Sequence, residues 1–162
     1  GVHKAFVIGP MCGINRTISD PPSHRDCATW SAQNCPFLSR PLAQRRASDL
    51  PEDANWAAGF GLKRNPGAVG VWVTRSYRPF RAPMGNDGIL FEIGPPESVE
   101  WFASGRPATY SEVLHSVETG LPSLYELAKA QGRAATIALD RQVKNFHAML
   151  GHTSWPDETI SA

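Results

Sequence analysis

Residues 68–74, AVGVWVT, are apolar on both faces of any strand they form. Val69, Val71 and Val73 alternate with Ala68, Gly70 and Trp72, so neither side offers a polar surface to water. A strand of this kind has to be covered from both sides, which commits the chain to a layered fold. Two further segments read as strands. Residues 4–8, KAFVI, stop at Gly9-Pro10, and residues 88–93, GILFEI, follow the turn chemistry of PMGNDG. The second is expected to pair antiparallel with residues 68–74 across that turn. Residues 12–17 are expected to return as the other arm of a hairpin begun by residues 4–8.

From Pro95 the pattern turns helical. Residues 96–104 predict a short helix stopped by Gly105, with Val99, Trp101 and Phe102 apolar. Thr109 and Glu112 have the spacing of a capping box. The helix they open carries Val113, Leu114 and Val117 and is expected to end at Gly120. Pro122 opens another, ending at Gly132. Residues 133–150 form the last, with Leu139, Val143, Phe146 and Leu150 on one stripe. Residues 36–68 read as a long irregular connection with one helical turn near 42–47. The expected class is α+β: a front hairpin and helix, a small antiparallel sheet, and a C-terminal segment of three to four helices. Residues 1–40 are expected as a metal-binding lobe and 41–162 as the α+β lobe, together one compact unit.

A chain of 162 residues fits one domain and buries a core without staples. Its apolar runs are too short to span a bilayer, and no secretory signal is legible. A sequence that begins at Gly1, without an initiator methionine, is expected to be a processed form or a fragment. The three cysteines cannot all pair with one another. A reduced, cytoplasmic protein is therefore expected, its cysteines unbridged or on metal, with a Cys12–Cys35 disulfide as the alternative.

Those cysteines and one histidine crowd the front of the chain: Cys12, His24, Cys27 and Cys35. His24 and Cys27, three apart after Pro21-Pro22, share one face of the helix expected over residues 23–33. Imidazole and thiolate suit zinc, which takes four such ligands in a structural site. A strand hairpin followed by a helix bearing His-x-x-Cys resembles the second half of a treble-clef zinc finger. The wording FVIGPMCGINRTISDPPSHRDCATWSAQNCPFLSRP, with KRNPG, VWVTRSYRPF and WFASGRPAT, also resembles a group of uncharacterised bacterial and phage-encoded proteins. The resemblance covers most of the chain and implies a zinc finger at its front and no particular activity. Members of that group carry a Cys-x-x-Cys shortly before the segment matching residues 4–8. Two ligand sets follow: His24 and Cys27 with a knuckle upstream of Gly1, or all four residues as a Cys3His site.

Charge is uneven. Residues 1–81 hold 11 Lys/Arg against 5 Asp/Glu, and residues 82–162 hold 5 against 10. In TRSYRPFR, Arg75, Arg78 and Arg81 interleave with Tyr77 and Phe80, an arrangement that suits phosphates and stacked bases. Arg45, Arg46, Lys63 and Arg64 extend the basic half. The alternative is that the arginines pair with the acidic second half, Arg106 with Glu100 or Glu112. No Walker, GxGxxG or GxSxG motif is present. The expectation is a zinc-containing binding protein that meets nucleic acid or another anionic partner through its basic half. The alternatives are an enzyme acting on a nucleotide or modified base, and a protein-interaction or host-factor inhibitor protein. The balance leans away from an enzyme.

Overall fold

The computed structural model describes residues 2–40, 65–81 and 88–156. In chain order the elements are β1 (Lys4–Ile8), α1 (Pro10–Asn15), β2 (Thr17–Ile18), α2 (Arg25–Asn34), α3 (Pro36–Ser39), β3 (Val69–Thr74), β4 (Tyr77–Arg81), β5 (Ile89–Ile93), β6 (Ser98–Ala103), β7 (Arg106–Pro107), α4 (Tyr110–Gln131) and α5 (Arg133–Gly151). The class is α+β, with antiparallel sheets and a helical C-terminal part.

β3 is buried at every residue, as its apolar alternation requires. It lies inside a four-stranded sheet of order β1-β3-β6-β7. On one face Val69, Val71 and Val73 join Ala5 and Phe102 beneath Ala28 and Ala32 of α2. Those alanines are four apart, so a strip of short side chains lets the helix lie close to the sheet. On the other face Phe6, Ile8, Trp72 and Trp101 pack against Val113, Val117, Leu139, Phe146 and Leu150 of α4 and α5. Gly70 makes room there, because a Cβ at this position would stand 2.9 Å from the Trp101 ring. Residues 2–40 therefore share their core with β3, β6 and the C-terminal helices.

A second sheet, β2-β5-β4, is joined to the first around Gly94. The Gly94 carbonyl accepts the Trp72 indole N–H at 3.0 Å and the Arg16 guanidinium at 3.0 Å. Arg16 also lies 4.5 Å over the Trp72 ring. Burial pushes the Arg16 pKa down, and the ring face and carbonyl stand in for a carboxylate.

Four local expectations change. Residues 12–17 do not return as a hairpin arm: Pro10 sits at the first position of α1, and β1 pairs with β3 instead. The front is thus strand, helix, short strand, helix, which differs from a treble-clef hairpin. Residues 96–104 are not helical. Val99, Trp101 and Ala103 alternate with Ser98, Glu100 and Phe102 in β6, because β3 needs a partner on its second edge. β3 and β5 do not pair; β4 intervenes and takes β5. Finally, α4 runs through Pro122 as one helix. The stripe Val113, Val117, Leu121, Leu124 and Ala128 continues across it and offsets the lost hydrogen bond. The C-terminal part described therefore holds two helices, α4 and α5, where three to four were expected. Val143 on the last stripe is only partly buried, while Leu139, Phe146 and Leu150 are buried as read.

The capping box at α4 is formed as expected. The Thr109 side chain accepts from the Glu112 amide, and Glu112 accepts the Thr109 amide at 2.9 Å and Arg106 Nη1 at 3.0 Å. The Arg106 hydrogen bond, foremost, and the Thr109 amide hold the Glu112 carboxyl below its ordinary value. A depressed carboxyl adds stability that is full above the unfolded value, about 4.3, and is lost as pH falls through the folded value. Glu112→Gln is expected to cost about 1 kcal/mol at pH 7 and nothing extra near pH 2. Urea unfolding at both pH values checks this; an equal loss at both removes the linkage.

No helix among the described residues is long and apolar enough to cross a membrane.

Candidate functional site

The site forms where the Val7 end of β1 meets four helices. Gly9 ends the strand in an extended conformation and Pro10 starts α1, which carries Met11 and Cys12 to one wall. α2 ends at Cys35, whose amide donates to the Ser31 carbonyl at 2.9 Å. Pro36 then starts α3, a single turn. Asn65, itself buried, holds that turn in place: its Nδ2 stands 2.9 Å from each of the Phe37, Leu38 and Arg40 carbonyls. Its Oδ1 accepts the Gly67 amide at 2.7 Å. Opposite, α4 presents Ser116, Gly120 and Ser123, a stripe of small residues at helical spacing, followed by Leu124 and Leu127. The small stripe leaves space that bulky side chains would have filled.

The result is a pocket of about 390 Å³, within the range of small-molecule and side-chain sites. Its walls are mainly apolar: Val7, Ile8, Met11, Leu38, Val69 and Leu124 among them. Two of its hydroxyls are turned to the protein. Ser116 donates to the Pro66 carbonyl, and Thr119 to the His115 carbonyl at 3.0 Å. Asp20 is the carboxylate of the lining, and no Lys, Arg or His joins it among the described residues. The described lining thus accepts apolar groups, tolerates positive charge and offers no cation to a phosphate.

The four expected metal ligands are dispersed. His24 is the N-cap of α2 and Cys27 is exposed in its first turn; neither lines the pocket. Cys35 is the C-cap of the same helix, eleven residues beyond His24 and about 16 Å along the axis. Zinc holds its ligands about 2.0–2.3 Å away, so no single ion spans His24 and Cys35. Cys12 lies in α1, half-buried in the pocket wall with Cys35. Among the described residues no group of three or more His, Cys, Asp or Glu is arranged to hold a metal. One ion therefore does not join all four: His24 and Cys27 stand at the start of α2, while Cys12 and Cys35 line the pocket.

Of the expected anion contacts, Arg45, Arg46, Lys63 and Arg64 lie outside the described residues. The others stand on or beside β4. Arg75 pairs with Glu97, which also meets His3 at 2.7 Å. Arg78 pairs with Glu92 across β4 and β5, its Nε 2.9 Å from the carboxylate. Arg78 also lies 5.7 Å over the Phe80 ring. Tyr77 packs edge-on against Phe6, with ring centroids 5.6 Å apart. Arg81 is exposed at the end of β4 with no ion pair among the described residues. Arg106 pairs with Glu112 and Arg25 with Glu100. Most of these cations are thus matched by carboxylates of the acidic half. Neither Arg75 nor Arg78 lines the pocket, as a phosphate-binding enzyme site would require.

Val7, Met11, Ser31, Ser123 and Leu124 were not singled out by sequence. The one signal available was the helical spacing of the small residues at positions 116, 120 and 123. No protein-family model, curated protein or solved structure matches the chain.

Proposed function

We propose that this protein is a binding module for an apolar ligand of neutral or positive charge, held in the pocket between β1, α1, the end of α2 and α4. The observation that carries this reading is the lining: about 390 Å³ of mainly apolar wall with one carboxylate and no cation among the described residues. Among the described residues no His or Lys lines it to activate its serine and cysteine side chains, so the reading taken is binding. The neutral dye Nile red is the probe. It is expected to bind with enhanced fluorescence, and Ser123→Trp, at an exposed α4 position on the pocket wall, is expected to weaken it about tenfold or more. Dye binding that is indifferent to Ser123→Trp counts against the pocket.

A second reading keeps the zinc-containing, nucleic-acid-binding protein. Arg78 stacked on Phe80, with the exposed Arg81 beside it, favours it at β4. Zinc held by His24 and Cys27 then needs two more ligands from outside the described residues. Binding of a single-stranded oligonucleotide is expected to fall steeply with salt and with Arg78→Ala/Arg81→Ala, and metal analysis is expected to return one zinc per chain. Absence of oligonucleotide binding at low salt ends this reading.

A further inference from the structure

We propose that the pocket's ligand is an extended peptide segment, which pairs with the outer edge of β1 at Val7 and places an apolar side chain in the pocket. The inference rests on the pocket reading and names its occupant. Backbone register carries it. In an antiparallel pair, successive residues turn their N–H and C=O alternately toward the partner and away from it. Ala5 turns both groups away from β3: its amide donates to the Ser23 carbonyl at 3.0 Å, and its carbonyl accepts the Ser23 amide at 2.8 Å. Phe6 and Ile8, opposite Trp72 and Gly70, therefore bond to β3, while Val7 faces outward like Ala5. Among the described residues no hydrogen bond reaches the Val7 amide or carbonyl, and Val7 lines the pocket.

The chain itself stops short of pairing there for a covalent reason. Continuing the Ala5–Ser23 register by two residues on each strand sets Val7 opposite Pro21, which has no N–H to give. The pairing ends, Pro21 becomes part of the pocket lining, and a donor and acceptor of a central-sheet edge are left beside an apolar cavity. This is the combination that strand addition uses: main-chain bonds for affinity and a side-chain pocket for specificity.

The outer edge of β4 is differently made. The Ile93 amide donates to the Arg16 carbonyl at 2.8 Å, so Ile89, Phe91 and Ile93 face β2. Arg78 and Phe80 then bond to β5, and Tyr77, Pro79 and Arg81 face outward. Pro79 breaks that edge as a pairing surface. On the β1 edge Ser23 occupies Ala5, but Val7 itself keeps both an outward amide and an outward carbonyl, and Asp20 beside it selects a segment that is uncharged or basic.

The probe is a rhodamine-labelled, end-capped hexapeptide of alternating leucine and threonine, with a fully N-methylated twin of the same side chains. The hexapeptide is expected to displace Nile red and to slow hydrogen exchange of the Val7 amide about tenfold. The twin is expected to bind about tenfold more weakly or worse. Val7→Pro, which removes the outward donor and leaves the Phe6 and Ile8 bonds to β3, is expected to bind the hexapeptide as weakly as wild type binds the twin. The exchange measurement on wild type decides the matter if that variant does not fold. Equal affinity of the two peptides with unchanged Val7 exchange overturns the strand addition. Nile red binding without any peptide binding overturns it and leaves the pocket standing. Absence of both kinds of binding overturns the two together.

Discussion

Trp72→Ala is expected to lower the free energy of unfolding by about 3–5 kcal/mol. Trp72 is fully buried at the centre of β3, where its ring packs in the main core and its N–H meets the Gly94 carbonyl at 3.0 Å. Removing the ring leaves a cavity and strips Arg16 of the surface it rests on at 4.5 Å. The guanidinium then keeps only the Gly94 carbonyl at 3.0 Å. Trp72→Phe separates these contributions. It retains most of the apolar volume and loses the donor, and is expected to cost about 1–3 kcal/mol. Urea denaturation of both variants checks the series, and a Trp72→Ala loss below that of Trp72→Phe would be inconsistent with the central packing role.

Gly105→Ala is expected to cost about 2–5 kcal/mol and to weaken the pocket at the same time. Gly105 joins β6 to β7 at φ 76°, a conformation that strains any residue with a side chain. A Cβ there would also stand 2.6 Å from the Gln33 carbonyl oxygen, which is backbone and cannot swing aside. The last turn of α2 has to move, and that turn carries Ser31 and Cys35 into the pocket wall. Gly67→Ala is the control. Gly67 has φ 86° with no atom within 4 Å of its added Cβ, so only the conformational cost of about 1–2 kcal/mol is expected. Unfolding free energies with a Nile red titration decide it. A Gly105→Ala loss no larger than that of Gly67→Ala, or unaltered dye affinity, contradicts the coupling of this turn to the pocket.

Periodicity was the readable part of the fold. Residues 69–74 announced themselves by alternation, residues 4–8 and 89–93 by apolar runs beside turn residues, and the capping box at Thr109 and Glu112 located the start of α4 to the residue. Pairing was not readable. Residues 88–93 looked like the partner of residues 68–74 because a turn separates them from the preceding strand, but a reversal at Arg75-Ser76 sends β4 into that place. Residues 98–103 carry aromatic and β-branched residues that serve either period, and the second edge of β3 chose the strand. Pro122 reads as a helix start; a stripe of packed side chains on either side made it an interior position.

The chain's local chemistry determined which segments are strands or helices with a side to bury, that β3 is covered on both faces, and that Arg106 has an acidic partner within reach. Those properties belong to residues near one another in sequence and hold before any fold exists. Tertiary structure decided where the cysteines and arginines stand. It parted His24 from Cys35 along one helix, brought Cys12 and Cys35 to the lining of one pocket, and matched Arg75 and Arg78 with Glu97 and Glu92. It also made the pocket, which is a property of the space between β1, β3 and the four helices α1 to α4, and of the Val7 edge that Pro21 leaves unpaired. Spacing along a chain constrains neighbours within a turn of helix; convergence of distant segments depends on how sheets and helices pack.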